Sequence, residues 1–292
     1  MYTVRSLALA LVAAGGLAPL VDALPAPAVL GESKSDYPAF KDVVEGLEKV
    51  VSTSDGSSPL YELYADHDTG KLLAVLPAGY ADQLQMIACT VSGGDPEAGV
   101  MGPTHYAKWR KIGKQVALVV PNLSVRTDGD KQASESIEDL YTGRVMLSMP
   151  ILAMHGGRPV IDFGALATQK TMSFFGYSAF GGYGPGMAPL NASLAELSKA
   201  KAFPQNLVVE YEAPRVDGQL VKVTFSVGKL EGTRGYEPRE ADSRVGYFYD
   251  HHLDYGRTGK DDLISRYISR WNLEKADPNL ELSPVKKPVV WY

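Results

Sequence analysis

Residues Asn206–Leu230 read NLVVEYEAPRVDGQLVKVTFSVGKL. Two runs of alternating apolar and polar residues flank Asp217 and Gly218, and glycine supplies the positive φ that a tight hairpin turn requires. The segment is therefore expected to be a pair of antiparallel strands. The same logic recurs in LYELYADHDTGKLLAVL (Leu60–Leu76), turning at Asp68, Thr69 and Gly70, and in HYAKWRKIGKQVALVVPNL (His105–Leu123), turning at Gly113. It recurs again in VMLSMPILAMHGGRPVIDFGAL (Val145–Leu166), turning at Gly156 and Gly157. Successive hairpins predict a mainly β, α+β fold: an antiparallel sheet with peripheral helices, closed as a sandwich or barrel.

Four stretches carry helical periodicity instead. Phe40, Val43, Val44, Leu47 and Val50 share one helical face. ASESIEDLYTGRVM (Ala133–Met146) places Ile137 and Leu140 together behind a Ser134 cap, and NASLAELSKAKAF (Asn191–Phe203) opens on Asn191 or Ser193 as a cap. KDDLISRYISRWNLEKA (Lys260–Ala276) shows the clearest pattern, with Leu263, Ile264, Tyr267, Ile268 and Trp271 in register and acids leading bases.

The composition, 45% hydrophobic and 22% charged, is that of an ordinary globular chain. A net charge of -5 with scattered Lys and Arg argues against a nucleic-acid partner and against an anionic membrane surface. The opening MYTVRSLALALVAAGGLAPLVDALPAPA has Arg5, an apolar run from Leu7 to Leu17, and small residues at Val21 and Ala23. This predicts a secretory signal over residues 1–23, with Ala28 as an alternative cleavage point. Gly15, Gly16 and Pro19 interrupt the run, which is shorter than the ~20 residues of a bilayer span. The chain is accordingly expected to be exported, periplasmic or secreted, with no membrane span after signal cleavage. Its single cysteine, Cys89 in LQMIACTVSG, forms no internal disulfide and reads as strand packing.

Motifs for chemistry are sparse. No His-Glu-x-x-His helix, Gly-x-Ser-x-Gly elbow or phosphate-binding loop is present. His67 and His155 sit at hairpin turns, and His105 precedes a strand. YDHHLDYG (Tyr249–Gly256) alternates Asp250, His252 and Asp254 along one strand face, which permits metal ligation without a fourth ligand. SFFGYSAFGGYGPGMAPL (Ser173–Leu190) reads as a long loop whose Phe174, Phe175 and Tyr177 either anchor it under the sheet or line a groove for peptide or glycan. GYEPREADSRVGYF (Gly235–Phe248) packs five charges into fourteen residues, and its paired arginines and acids suit an interface more than a catalytic dyad.

Five motifs, DYPAFKDVVEG, VVPNLSVRT, AKAFPQNLVVEYE, GYEPREADSRVGYF and RYISRWNLEKADPNLELSPVKKPVVWY, together resemble one bacterial family. The resemblance, running from Asp36 to Tyr292, is to the N-terminal region of large exported zinc-dependent metalloproteases of the zincin class, including two successive domains of unknown function. It implies a non-catalytic accessory region, with no cofactor in this chain and zinc only in a catalytic domain supplied in cis or by another chain. It further implies a peptide substrate for the assembly and an ion-paired joint of Arg239, Asp242 and Arg244. Tyr247 and the strand PVVWY would help to seat the protease domain. The expected layout is a signal over 1–23, a linker and short helical segment over 24–58, a β domain over 59–282, and a linker and first strand over 283–292. A free-standing periplasmic binding module is the alternative, and an enzyme built on Asp250, His252 and Asp254 is a second one.

Overall fold

The computed structural model describes residues 36–96, 98–99, 102–175, 188–232, 239–242, 244, 249–257, 259, 262–268 and 273–287. The hairpins read from the sequence assemble into open sheets. One sheet is ordered β1 (Glu48–Lys49), β2 (Glu62–Asp66), β3 (Lys71–Val75), β10 (Arg158–Asp162), β9 (Ala153–His155), and every neighbouring pair is antiparallel. A seven-stranded sheet runs β11 (Glu196–Ala202), β12 (Asn206–Pro214), β13 (Leu220–Lys229), β4 (Gln85–Gly93), β5 (His105–Ile112), β6 (Gln115–Val120), β8 (Arg144–Pro150). A small third sheet places β14 (Tyr249–Asp254) between β15 (Ile264–Ile268) and β7 (Val125–Arg126), with β7 parallel to β14.

The first two sheets share a core, so the architecture is a β-rich α+β sandwich rather than a closed barrel. Leu63, Ala65, Leu72 and Ala74 from one side meet Cys89, Leu207, Val209 and Phe225 from the other, all buried. Strand β12 alternates strictly between buried and half-buried positions, as a strand with one inward face should. Strand β3, apolar from Leu72 onward, is buried there on both faces. Its second face, with Leu73 and Val75, is covered by Phe40, Val43, Val44 and Leu47. The helix expected there is only one turn, α1 (Phe40–Val43), and the chain then enters β1, so part of the segment expected to be a linker supplies a strand.

Two expected helices are strands. Asn191–Phe203 forms a 3-10 turn at Ala192–Leu194 and then β11, because β12 would otherwise leave a row of backbone groups unpaired. Lys199 and the other lysine on this edge strand are exposed, as charged side chains that blunt a sheet edge commonly are. Ile264–Ile268 of the Lys260–Ala276 stretch pairs along its length with β14, and β-branched and aromatic residues suit that pairing. Trp271 lies outside the described residues. The expected helix near Ile137 does form, as α2 (Lys131–Leu140), but its cap is Asp130, whose Oδ1 accepts from the Ala133 N–H at 2.9 Å, and not Ser134.

Helices α3 (Phe163–Gln169) and α4 (Thr171–Phe175) were not anticipated by the hairpin reading. Asp162 caps α3 through the Ala165 N–H at 2.8 Å. An Asp before a run of Ala, Leu and Gln was the available signal. Among the described residues, no helix is long and apolar enough to cross a membrane.

Candidate functional site

A groove of about 900 Å3 lies between the outer face of the β5–β6 hairpin, the 121–127 segment and α2. Its floor follows from strand alternation. Ala107 and Trp109 point into the core, so Lys108 and Arg110 point outward, with Val119 opposite Lys108. One wall is the segment leading to β7, shaped by Asn122, whose Oδ1 accepts from the Ser124 and Val125 N–H groups while its Nδ2 donates to the Val125 carbonyl at 2.8 Å. That turn delivers Arg126 to the groove.

Helix α2 forms the other wall, presenting Ser134, Ile137 and Glu138, and none of its residues is buried. It is held at its C-terminal end. The Tyr141 and Tyr255 hydroxyls lie 3.0 Å apart and their rings are stacked, tying α2 to the end of β14. That hydrogen bond shifts the Tyr141 phenol upward from its ordinary value. Close approach of the returning chain to β6 needs Gly143, where a Cβ would meet the Val120 carbonyl oxygen at 2.9 Å.

The electrostatics of the groove oppose those of the whole chain. Lys108, Arg110, Lys111 and Arg126 line it against one carboxylate, Glu138. Among the described residues Lys108, Arg110 and Arg126 form no salt bridge, while Lys111 lies over the Tyr37 ring at 5.6 Å. The cluster of Lys108, Arg110 and Lys111 within HYAKWRKIGK was a legible signal that the hairpin reading passed over.

Asp250, His252 and Asp254 do lie on β14, beside this groove. They do not form a ligand set: no group of three His, Cys, Asp or Glu side chains able to hold a metal ion occurs among the described residues. His252 stacks on Tyr267 at 5.6 Å, and Asp254 is buried with its Oδ1 accepting from the Gly256 N–H at 2.9 Å. Burial, and then the positive charge of Arg126, lowers the His252 imidazole from its ordinary value. Arg257 donates to Ser265 Oγ at 2.9 Å and to Glu240 Oε1 at 3.1 Å. Arg126 and Arg257 thus set positive charge beside this strand, opposed by Glu240 on Arg257 and by Asp254 on the strand itself.

The charged stretch expected to make a joint contributes an edge. Its Ala241 N–H donates to the Arg266 carbonyl at 2.8 Å, and the Ile268 N–H donates to the Arg239 carbonyl at 3.2 Å. Arg244 pairs with Asp242 at 2.7 Å, and these hydrogen bonds, with the charges of Arg244 and Arg239, pull the Asp242 carboxyl well below its usual range. Arg244 remains 78% exposed, so this is a surface pair of small energetic weight. Tyr247 and the strand PVVWY lie outside the described residues.

Phe174 and Phe175 are buried in the core, and His105 Nε2 donates to the Phe174 carbonyl at 2.7 Å; Tyr177 lies outside the described residues. Cys89 is fully buried and its thiol is pushed up by that burial. The native protein is expected not to react with Ellman's reagent, whereas the denatured chain should release one equivalent per chain. Rapid labelling of the native protein would show that β4 is accessible.

Comparison with known families identifies residues 99–276 as a match to the domain of unknown function DUF5117, more than half of the chain. The chain belongs to the DUF5117 family. The DUF5117 segment carries the whole groove except its Tyr80 end, together with β14 and β15. It does not complete its own sheet, because β4, which precedes it, lies between β13 and β5. No curated protein and no solved structure matches the chain.

Proposed function

We propose that this chain is a non-catalytic accessory region of an exported zinc metalloprotease, and that its own work is to bind a ligand in the groove beside α2. The binding half of the reading rests on one observation: a groove lined by four cationic side chains against the single carboxylate of Glu138, in a chain of net charge -5. Keeping like charges together in a concave site costs stability, and a bound anion would offset that cost. The accessory half is supported by the ordered motifs from Asp36 to Tyr292. Its partner would be a catalytic domain, in cis or on another chain, and zinc would reside there.

A free-standing binding module uses the same groove and differs only in what surrounds it. Intact mass spectrometry of the native protein, captured from its host by an antibody to this region, separates the two. A species several times heavier than residues 24–292 supports the accessory role. A mass near that of the segment itself refutes it and leaves the binding module.

A further inference from the structure

We propose that the groove between the β5–β6 face and α2 binds an extended, acidic peptide segment whose carboxylates recur at alternate residues. This rests on the reading of the groove as a binding site and names its ligand class.

Spacing is the first argument. Lys108 and Arg110 project from the same face of β5, two residues apart. Successive same-face side chains of a strand are about 6.6 Å apart. An extended peptide repeats with the same period, so alternate carboxylates along it meet Lys108 and Arg110 in turn.

Shape and chemistry give the second. The groove also presents apolar side chains beside the cations: Val119 from β6, Val125 from the 121–127 segment and Ile137 from the α2 wall. In an extended peptide the residues that alternate with the acids turn away from the Lys108–Arg110 floor, and the α2 wall offers them Ile137. Ser134 and Thr142 also line the groove, and their hydroxyls make no hydrogen bond among the described residues, so these hydroxyls remain for a peptide backbone. Asn122 and Thr127 are committed to their own turns.

Charge distribution gives the third. A nucleic acid needs a basic track that continues beyond a single groove. Here Glu138 stands on the wall and the chain as a whole is acidic, so a polyphosphate leaving the groove would be repelled, whereas a peptide with a few local acids would not.

The test is fluorescence anisotropy of labelled eight-residue peptides titrated with the full chain, with binding to Lys108→Ala/Arg110→Ala measured alongside. An alternating Glu-Thr peptide is expected to bind, and its Gln-Thr counterpart to bind at least about tenfold more weakly. The double variant should lose about tenfold in affinity for the Glu-Thr peptide while its melting curve stays unchanged, because both side chains are exposed. The wild-type interaction should weaken on raising salt to about 0.5 M. Equal affinity for both peptides, or an unchanged double variant, overturns the proposal. Tighter binding of an oligogalacturonate that depends on Lys108 and Arg110 would overturn the peptide class yet keep the groove as a binding site. If neither probe binds, the binding reading itself fails.

Discussion

Phe225→Ala is expected to lower the unfolding free energy by about 3–5 kcal/mol, the range for truncating a fully buried aromatic residue. Phe225 is 0% exposed and sits on β13, in the middle of the seven-stranded sheet, paired with Cys89 on one side and Val209 on the other. Its ring packs edge-on against Phe174 at 5.2 Å, which couples the sheet to α4. Ile87, Leu118, Phe163 and Leu166 line the same part of the core, and rigid strands limit how far they can close over the space left by alanine. The lost transfer energy therefore adds to a cavity cost. Phe225→Leu should lie between the two. Urea denaturation measures this as a fall in midpoint at unchanged slope. A loss below about 1 kcal/mol for the alanine variant would mean that the two sheets are not packed through this residue.

Acid should remove about 2 kcal/mol of stability through Glu62 alone, after allowance for the half-exposed lysine beside it. Burial by itself would raise the Glu62 carboxyl. Hydrogen bonds and charge from Lys49, at 2.8 Å, and from Arg158 outweigh burial and bring it from 4.5 down to about 2. Because the folded value lies below the ordinary one, the contribution is complete above pH 4.5 and is lost as pH falls from about 4.5 towards about 2. Glu62→Gln should be less stable than the parent at pH 7, and the gap should narrow progressively below pH 4.5. Other carboxylates with lowered values, such as Asp66, Asp217 and Glu210, add to the acid sensitivity of both proteins and cancel in the comparison. Parallel stability curves for parent and variant between pH 2 and pH 7 would sink this account. The triad joins β1, β2 and β10, so its loss should first loosen the five-stranded sheet, on the side away from the basic groove.

The site was less legible than the fold for a physical reason. Lys108 and Arg110 were visible as outward residues of a hairpin, but Arg126 reaches them through the Asn122 turn and is held there by the parallel pairing of β7 with β14, more than a hundred residues later. Parallel pairing leaves no turn signature in the sequence. Of the residues singled out for metal or interface roles, Asp250, His252 and Asp254 were noticed for their alternation along one strand, and Arg239, Asp242 and Arg244 for their density along the chain. Neither alternation nor density reports which side chains share a neighbour: Asp242 is bound to Arg244 two residues away, while His252 answers to Arg126.

By itself the sequence determined the elements whose partners are close in the chain. Glycines with positive φ, at Gly113 and Gly218 among others, close hairpins between alternating runs, and alternation assigns each side chain to a face. These interactions are local, so composition and spacing suffice. Only the tertiary structure decided that β4 separates β13 from β5, that Glu196–Ala202 and Ile264–Ile268 become strands in spite of helical spacing, and that α2 stands over a basic groove. In each case the deciding energy is the satisfaction of an unpaired strand edge or the burial of a face by distant residues, which outweighs a propensity worth a few tenths of a kcal/mol per residue.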